Sequence, residues 1–97
     1  MKDLASVRAD LRARLPELRL RYPLASIGVF GSFARGQQSA SSDLDLLVEF
    51  DGPIGLFAFG ELEDEISRRL GLPVEIVTRA ALKPLLRDEI LDELVPI

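Results

Sequence analysis

Gly31-Ser32-Phe33-Ala34-Arg35-Gly36, then the six polar-loop residues Gln37 to Ser42, then Asp43-Leu44-Asp45-Leu46-Leu47-Val48: on this stretch the reading of the chain turns. From Asp43 to Phe50 the pattern is that of a strand. Leu44, Leu46 and Val48 share one face, and Asp43, Asp45, Leu47 and Glu49 share the other. Asp51-Gly52-Pro53 stops it. Upstream, residues 25 to 30 (Ala-Ser-Ile-Gly-Val-Phe) read as a short buried strand that runs directly into Gly31-Ser32, and Gly36 can end the single helical turn that follows.

Working outward, Leu4, Val7, Leu11, Leu15 and Leu18 recur at helical steps, so residues 3 to about 21 read as an amphipathic helix. Pro16 predicts a kink there or a fresh helix start. Residues 56 to 70 form a second helix with Phe59, Leu62, Ile66 and Leu70 as its core stripe and Gly71 as its cap. One of Phe57 and Phe59 should be buried, and Glu61 to Glu65 read as solvated. A third strand follows at Pro73 to Val77, Thr78 can cap a turn, and Pro84 suits the first position of a last helix reaching about Leu94. The expected fold is α/β: a three-stranded mixed sheet flanked by about four helices. The first two strands are expected antiparallel, the second and third parallel through a helical crossover. That topology brings Gly31-Ser32, Asp43, Asp45 and Glu75 to one end of the sheet.

With 97 residues, 47% hydrophobic and 29% charged, the chain reads as one folded domain over residues 1 to 97. It contains no cysteine and no histidine, which excludes disulfides, thiol nucleophiles and imidazole bases. Any catalysis has to run on carboxylates, hydroxyls, backbone dipoles and bound metal. The net charge of −4 disfavours direct binding of nucleic acid through phosphate neutralisation. Residues 1 to 21 carry net +3 and the remainder net −7, an acidic body suited to divalent cations. The basic cluster Arg8, Arg12, Arg14, Arg19 and Arg21 reads as the wet face of the first helix or as a docking surface for an acidic partner. No apolar run is long enough for a membrane span and no signal peptide is visible, so a soluble cytoplasmic protein with no membrane association is expected.

Two aspartates at i and i+2 of a strand project from one face about 6.5 Å apart, near enough to share or bridge cations. Alone, the pair reads more simply as solvated charge at a strand end. Gly31-Ser32 can admit a phosphate to backbone amides and a hydroxyl, or be a plain strand-to-helix turn. Ser42 can hold its own loop or touch phosphate, and Arg35 can lie against phosphate or pair with an acidic neighbour.

The combination is more specific than its parts. Gly31-Ser32, the spacing to Asp43 and Asp45, and the closing Leu46-Leu47-Val48 resemble the signature of the DNA polymerase β-like nucleotidyltransferase superfamily. More narrowly the chain is similar to the minimal nucleotidyltransferase (MNT) family, antitoxins paired with HEPN-domain toxins. The likeness extends from the first helix to a closing helix, Ile90-Leu91-x-Glu93-Leu94-Val95. It implies that Gly31 and Ser32 hold the phosphates of ATP and suggests phosphate contact for Ser42, with Arg35 kept beside them as a further nucleotide-binding candidate. It implies that Asp43 and Asp45 bind two Mg²⁺ ions, and that a third carboxylate on the next strand completes the site and helps deprotonate the acceptor hydroxyl. At that third position the family pattern has Val-Asp-Leu-Val, whereas this chain has Val74-Glu75-Ile76-Val77. Glutamate keeps the charge and strand parity but reaches up to about 1.5 Å further. A displacement on the order of 1 Å can cost roughly a hundredfold in rate.

Three functions follow for comparison. The first is transfer of AMP from ATP to a hydroxyl, expected to be a tyrosine, of a HEPN RNase toxin, which silences it. The second is neutralisation of the toxin by complex formation with little or no transfer. The third, transfer to a free metabolite, is the weakest, since so short a chain has little wall with which to enclose two substrates.

Overall fold

The computed structural model describes residues 2 to 97. Helix α1 (Leu4–Arg21) opens with Asp3, whose side chain accepts the Ser6 N–H while the Ser6 hydroxyl accepts the Asp3 N–H. Strand β1 (Leu24–Phe30) and strand β2 (Leu44–Phe50) are joined by the Gly31 turn and the serine-rich loop. Helix α2 (Leu56–Leu70) crosses to strand β3 (Val74–Thr78), a 3₁₀ turn (Arg79–Ala81) leads to helix α3 (Pro84–Glu93), and the two-residue strand β4 (Val95–Pro96) closes the chain. The sheet order is β3-β2-β1-β4, with β1 antiparallel to β2 and β4 and with β2 parallel to β3.

Alternation in β2 organises the core. Leu44, Leu46 and Val48 are fully buried against Val7, Leu11 and Leu18 of α1 and Leu62, Ile66 and Leu70 of α2, in a single apolar cluster. The stripes read from the sequence are therefore the ones that pack. Phe59 is half-buried against Phe50, and Phe57 lies in solvent.

Four expectations need correction. The sheet has four strands rather than three, because the residue after α3 turns extended (Leu94 φ −60°, ψ 128°) and lays Val95 and Pro96 beside Val29 and Gly28. Two residues are too short a strand to leave a periodicity in the sequence. The helices number three, plus the 3₁₀ turn, among the described residues. Pro16 lies inside α1 without dividing it. Core contacts on both sides of it, Val7 and Leu11 before and Leu18 after, offset the roughly 3 kcal/mol of an interior proline. Finally, the acidic run in α2 is only partly solvated. Glu65 is buried and takes both ends of the Arg21 guanidinium, and Glu63 accepts the Ile76 N–H at 2.9 Å.

The second face of the sheet is covered only in part. Leu94 sits over Gly28 so closely that a Cβ at Gly28 would lie 2.7 Å from its Cδ1. This contact brings the end of α3 onto β1, next to the carboxylate-bearing end of the sheet.

Candidate active site

Strand register assembles the site. Phe30, the last residue of β1, pairs with Asp45, and Asp45 is level with Glu75 of β3. Asp43 precedes β2 by one residue and is exposed, Asp45 is half-buried, and Glu75 is exposed. Gly31 follows β1 directly with φ +76°, a conformation that disfavours any side chain, and a Cβ there would run into the Asp45 carboxylate. Glycine is thus required twice over at the point where the turn meets the aspartate.

The turn itself is a single helical loop. The Arg35 N–H bonds the Gly31 carbonyl at 3.2 Å, the Gln37 N–H bonds the Ser32 carbonyl at 2.9 Å, and Gly36 at φ +69° ends it. Ser32 is half-buried beside Gly31, and its hydroxyl makes no side-chain hydrogen bond among the described residues. Ser42 accepts the Ser39 N–H at 2.8 Å, so it holds its own loop in the way one of its two readings anticipated.

Arg35 takes the acidic neighbour. Its Nη1 donates to Glu93 Oε2 at 2.9 Å and its Nε to Gln37 Oε1 at 3.1 Å. The other oxygen of Glu93 accepts the Gly31 N–H at 2.9 Å. Glu93, named above only within the closing motif, is the residue of this corner to which the sequence assigned no role. Its side chain is 18% exposed, and only the return of the chain through Leu94 and β4 brings it there.

The electrostatics of this corner are unbalanced. Burial, then the charges of Glu75 and Asp43, push the Asp45 carboxyl above its ordinary range, with Arg35 opposing and Glu93 adding to the effect. Crowded carboxylates with one nearby arginine form a donor set of oxygen atoms alone, the chemistry that Mg²⁺ prefers. Among the described residues, no three such side chains are gathered closely enough to enclose one ion. That arrangement suits a cation that takes one or two carboxylates and completes its shell with water and substrate phosphate. A cleft of about 660 Å³ lies between Ser42, Ser39, Phe33 and the start of α1, and none of Asp43, Asp45 and Glu75 lines it.

Comparison with known proteins agrees with this geometry. Residues 11 to 97 match the nucleotidyltransferase domain family. The protein adenylyltransferase MntA of Thermococcus cleftensis is 39% identical over 95 residues, covering 98% of this chain and 96% of its own. A solved minimal nucleotidyltransferase, 38% identical, superposes with a TM-score of 0.82 over 99% of this chain and 97% of that one. A more distant structure shares the fold at 20% identity and a TM-score of 0.67, over 93% of this chain and 70% of that one. It is a tri-AMPylated Shewanella oneidensis HEPN toxin in complex with its MNT antitoxin. With matches running nearly end to end and the Gly-Ser turn lying against an Asp-x-Asp strand, the chain belongs to the nucleotidyltransferase domain family.

Proposed function

We propose that this chain is an antitoxin that transfers AMP from ATP to a tyrosine hydroxyl of a HEPN-domain toxin and so silences it. The observation that carries the reading is the register that sets Asp45 level with Glu75 and against the Gly31 turn, with Asp43 near enough to help raise its carboxyl: an under-compensated patch of carboxylate beside a turn suited to phosphate. Relatives named as adenylyltransferases, and a fold shared with an antitoxin seated on an AMPylated toxin, support the choice of nucleotide and partner.

In the transfer, the acceptor oxygen bonds to the α-phosphorus of ATP, the bond to the bridging oxygen breaks, and pyrophosphate leaves. Asp43, Asp45 and Glu75 would hold Mg²⁺, which when bound supplies neutralisation of phosphate charge. Glu75 is the residue suited to take the hydroxyl proton, since it is exposed and level with Asp45. Ser32 faces the nucleotide's phosphates, and Arg35 neutralises charge on them. Ser42 acts by fixing the loop that leads into Asp43.

The test is incubation of the protein with ATP, Mg²⁺ and the product of the adjacent gene, read by mass spectrometry for an adenylyl adduct on tyrosine. An adduct that forms equally well with an Asp43→Ala, Asp45→Ala variant removes this site from the mechanism. Glu75, longer than the aspartate of the family pattern, favours one second reading, neutralisation by complex formation alone. That reading requires the double variant to rescue growth of toxin-expressing cells as well as the unaltered protein does.

A further inference from the structure

Glu93 is an improbable place for a carboxylate unless something nearby needs it. It is the last residue of α3, where the partial negative charge of the helix dipole disfavours an acidic side chain. It is nevertheless drawn out of water, with one oxygen on the Gly31 N–H and the other on Arg35, each at 2.9 Å. Its position is fixed from behind. Leu94 is wedged over Gly28, and Val95 and Pro96 pair with Val29 and Gly28, so Glu93 rests on β1 and does not swing on a tail.

We infer that Glu93 is a positioning residue for the nucleotide: it braces the Gly31 turn and aims the Arg35 guanidinium at the phosphates bound beside Asp43 and Asp45. The inference rests on the nucleotide-binding part of the function proposed above. Arg35 spends its Nε–H on Gln37 and an Nη1–H on Glu93, which leaves the Nη2 group for an anion. Held from two sides, a flexible and half-exposed side chain loses its freedom before the ligand arrives, so less ordering remains to be done on binding. The same carboxylate occupies the Gly31 amide. The Arg35, Gly36 and Gln37 N–H groups are bonded within the turn, so phosphate contacts fall to the side chains of Arg35 and Ser32.

The test is the affinity of Mg²⁺ with the non-hydrolysable ATP analogue AMPCPP, measured by calorimetry on the whole chain. Four proteins are compared: unaltered, Glu93→Gln, Arg35→Ala and the double variant. Glu93→Gln preserves shape and one acceptor, and its thermal midpoint is recorded to show that it folds. The expected result is a loss of about tenfold for Glu93→Gln, a comparable loss for Arg35→Ala, and no more than about twofold further loss when Glu93→Gln is added to Arg35→Ala. A purely structural Glu93 would give losses that multiply. Losses that multiply, unchanged affinity in Glu93→Gln, or tighter binding because Glu93 competes with phosphate would each overturn the inference while the function proposed above stands. Absence of binding by the unaltered protein would overturn both, and binding without adduct formation on the toxin would overturn only the transfer reaction.

Discussion

Two carboxylates drawn in from the surface, Glu65 and Asp45, meet opposite electrostatic fates. Glu65 on α2 receives both ends of the Arg21 guanidinium, and this hydrogen bonding holds its carboxyl below the ordinary range despite burial. Asp45 on β2 has burial and the charges of Glu75 and Asp43 against it, and its carboxyl is pushed up. The first arrangement is complete within the chain and ties α1 to α2. The second is left short of positive charge, which is what a site for cations needs before they arrive. The direction in which a carboxylate shifts thus distinguishes a pair satisfied within the chain from the group proposed above as part of the active site.

Substitutions at the two places should therefore fail in different ways. The largest effect is expected for Asp43→Asn with Asp45→Asn: adenylyl transfer, followed by mass spectrometry, falls by roughly a thousandfold or more. The thermal midpoint without divalent cation rises, because like charges have been removed. A midpoint that drops instead would place these aspartates with Glu65 as structural groups. Next, Glu75→Gln should lower the transfer rate by about a hundredfold at saturating ATP, the range for loss of a general base. A rate within about twofold of the unaltered protein would confine Glu75 to the rim of the site.

Smaller effects belong to the ion pair. Glu65→Ala should lower the thermal midpoint by roughly 5 °C, a modest figure because Arg21 is half-exposed and its attraction is screened. The transfer rate well below the midpoint should not change. The smallest effect is in the pH dependence. A carboxylate depressed in the folded state adds stability above its unfolded value near 4.5 and loses it as the pH falls through the lower folded value. Thermal midpoints taken from about pH 6 to pH 3 should fall less steeply in Glu65→Gln than in the unaltered protein. Parallel curves would remove the pair from acid stability.

Legibility in the sequence followed the range of the interaction. The faces of β2 could be read because alternation is a local property, and counting residues from the start of each of two parallel strands then set Glu75 level with Asp45. The Gly31 turn was legible only through its spacing to Asp43 and Asp45 and the resemblance that spacing carries, since Gly31-Ser32 alone reads as well as a plain strand-to-helix turn. Glu65 was not, since a run of acidic residues on a helix looks the same whether or not an arginine 44 positions away folds onto it. Glu93 was harder still. Its place depends on Leu94 finding the bare backbone of Gly28 and on a two-residue strand that no pattern announces. Pro16 misled for a related reason: its local preference was real but was outweighed by core contacts on either side.

The Glu63 contact with β3 bears on what can add to the edge of the sheet. A sheet ends in strands whose outward N–H and C=O groups can template another chain. Here one margin is β4, two residues long and carrying Pro96, which has no N–H to offer. At the other, the Ile76 N–H of β3 is already taken by the Glu63 carboxylate. With that donor taken on β3 and none available at Pro96 on β4, strand addition is disfavoured at both of these positions.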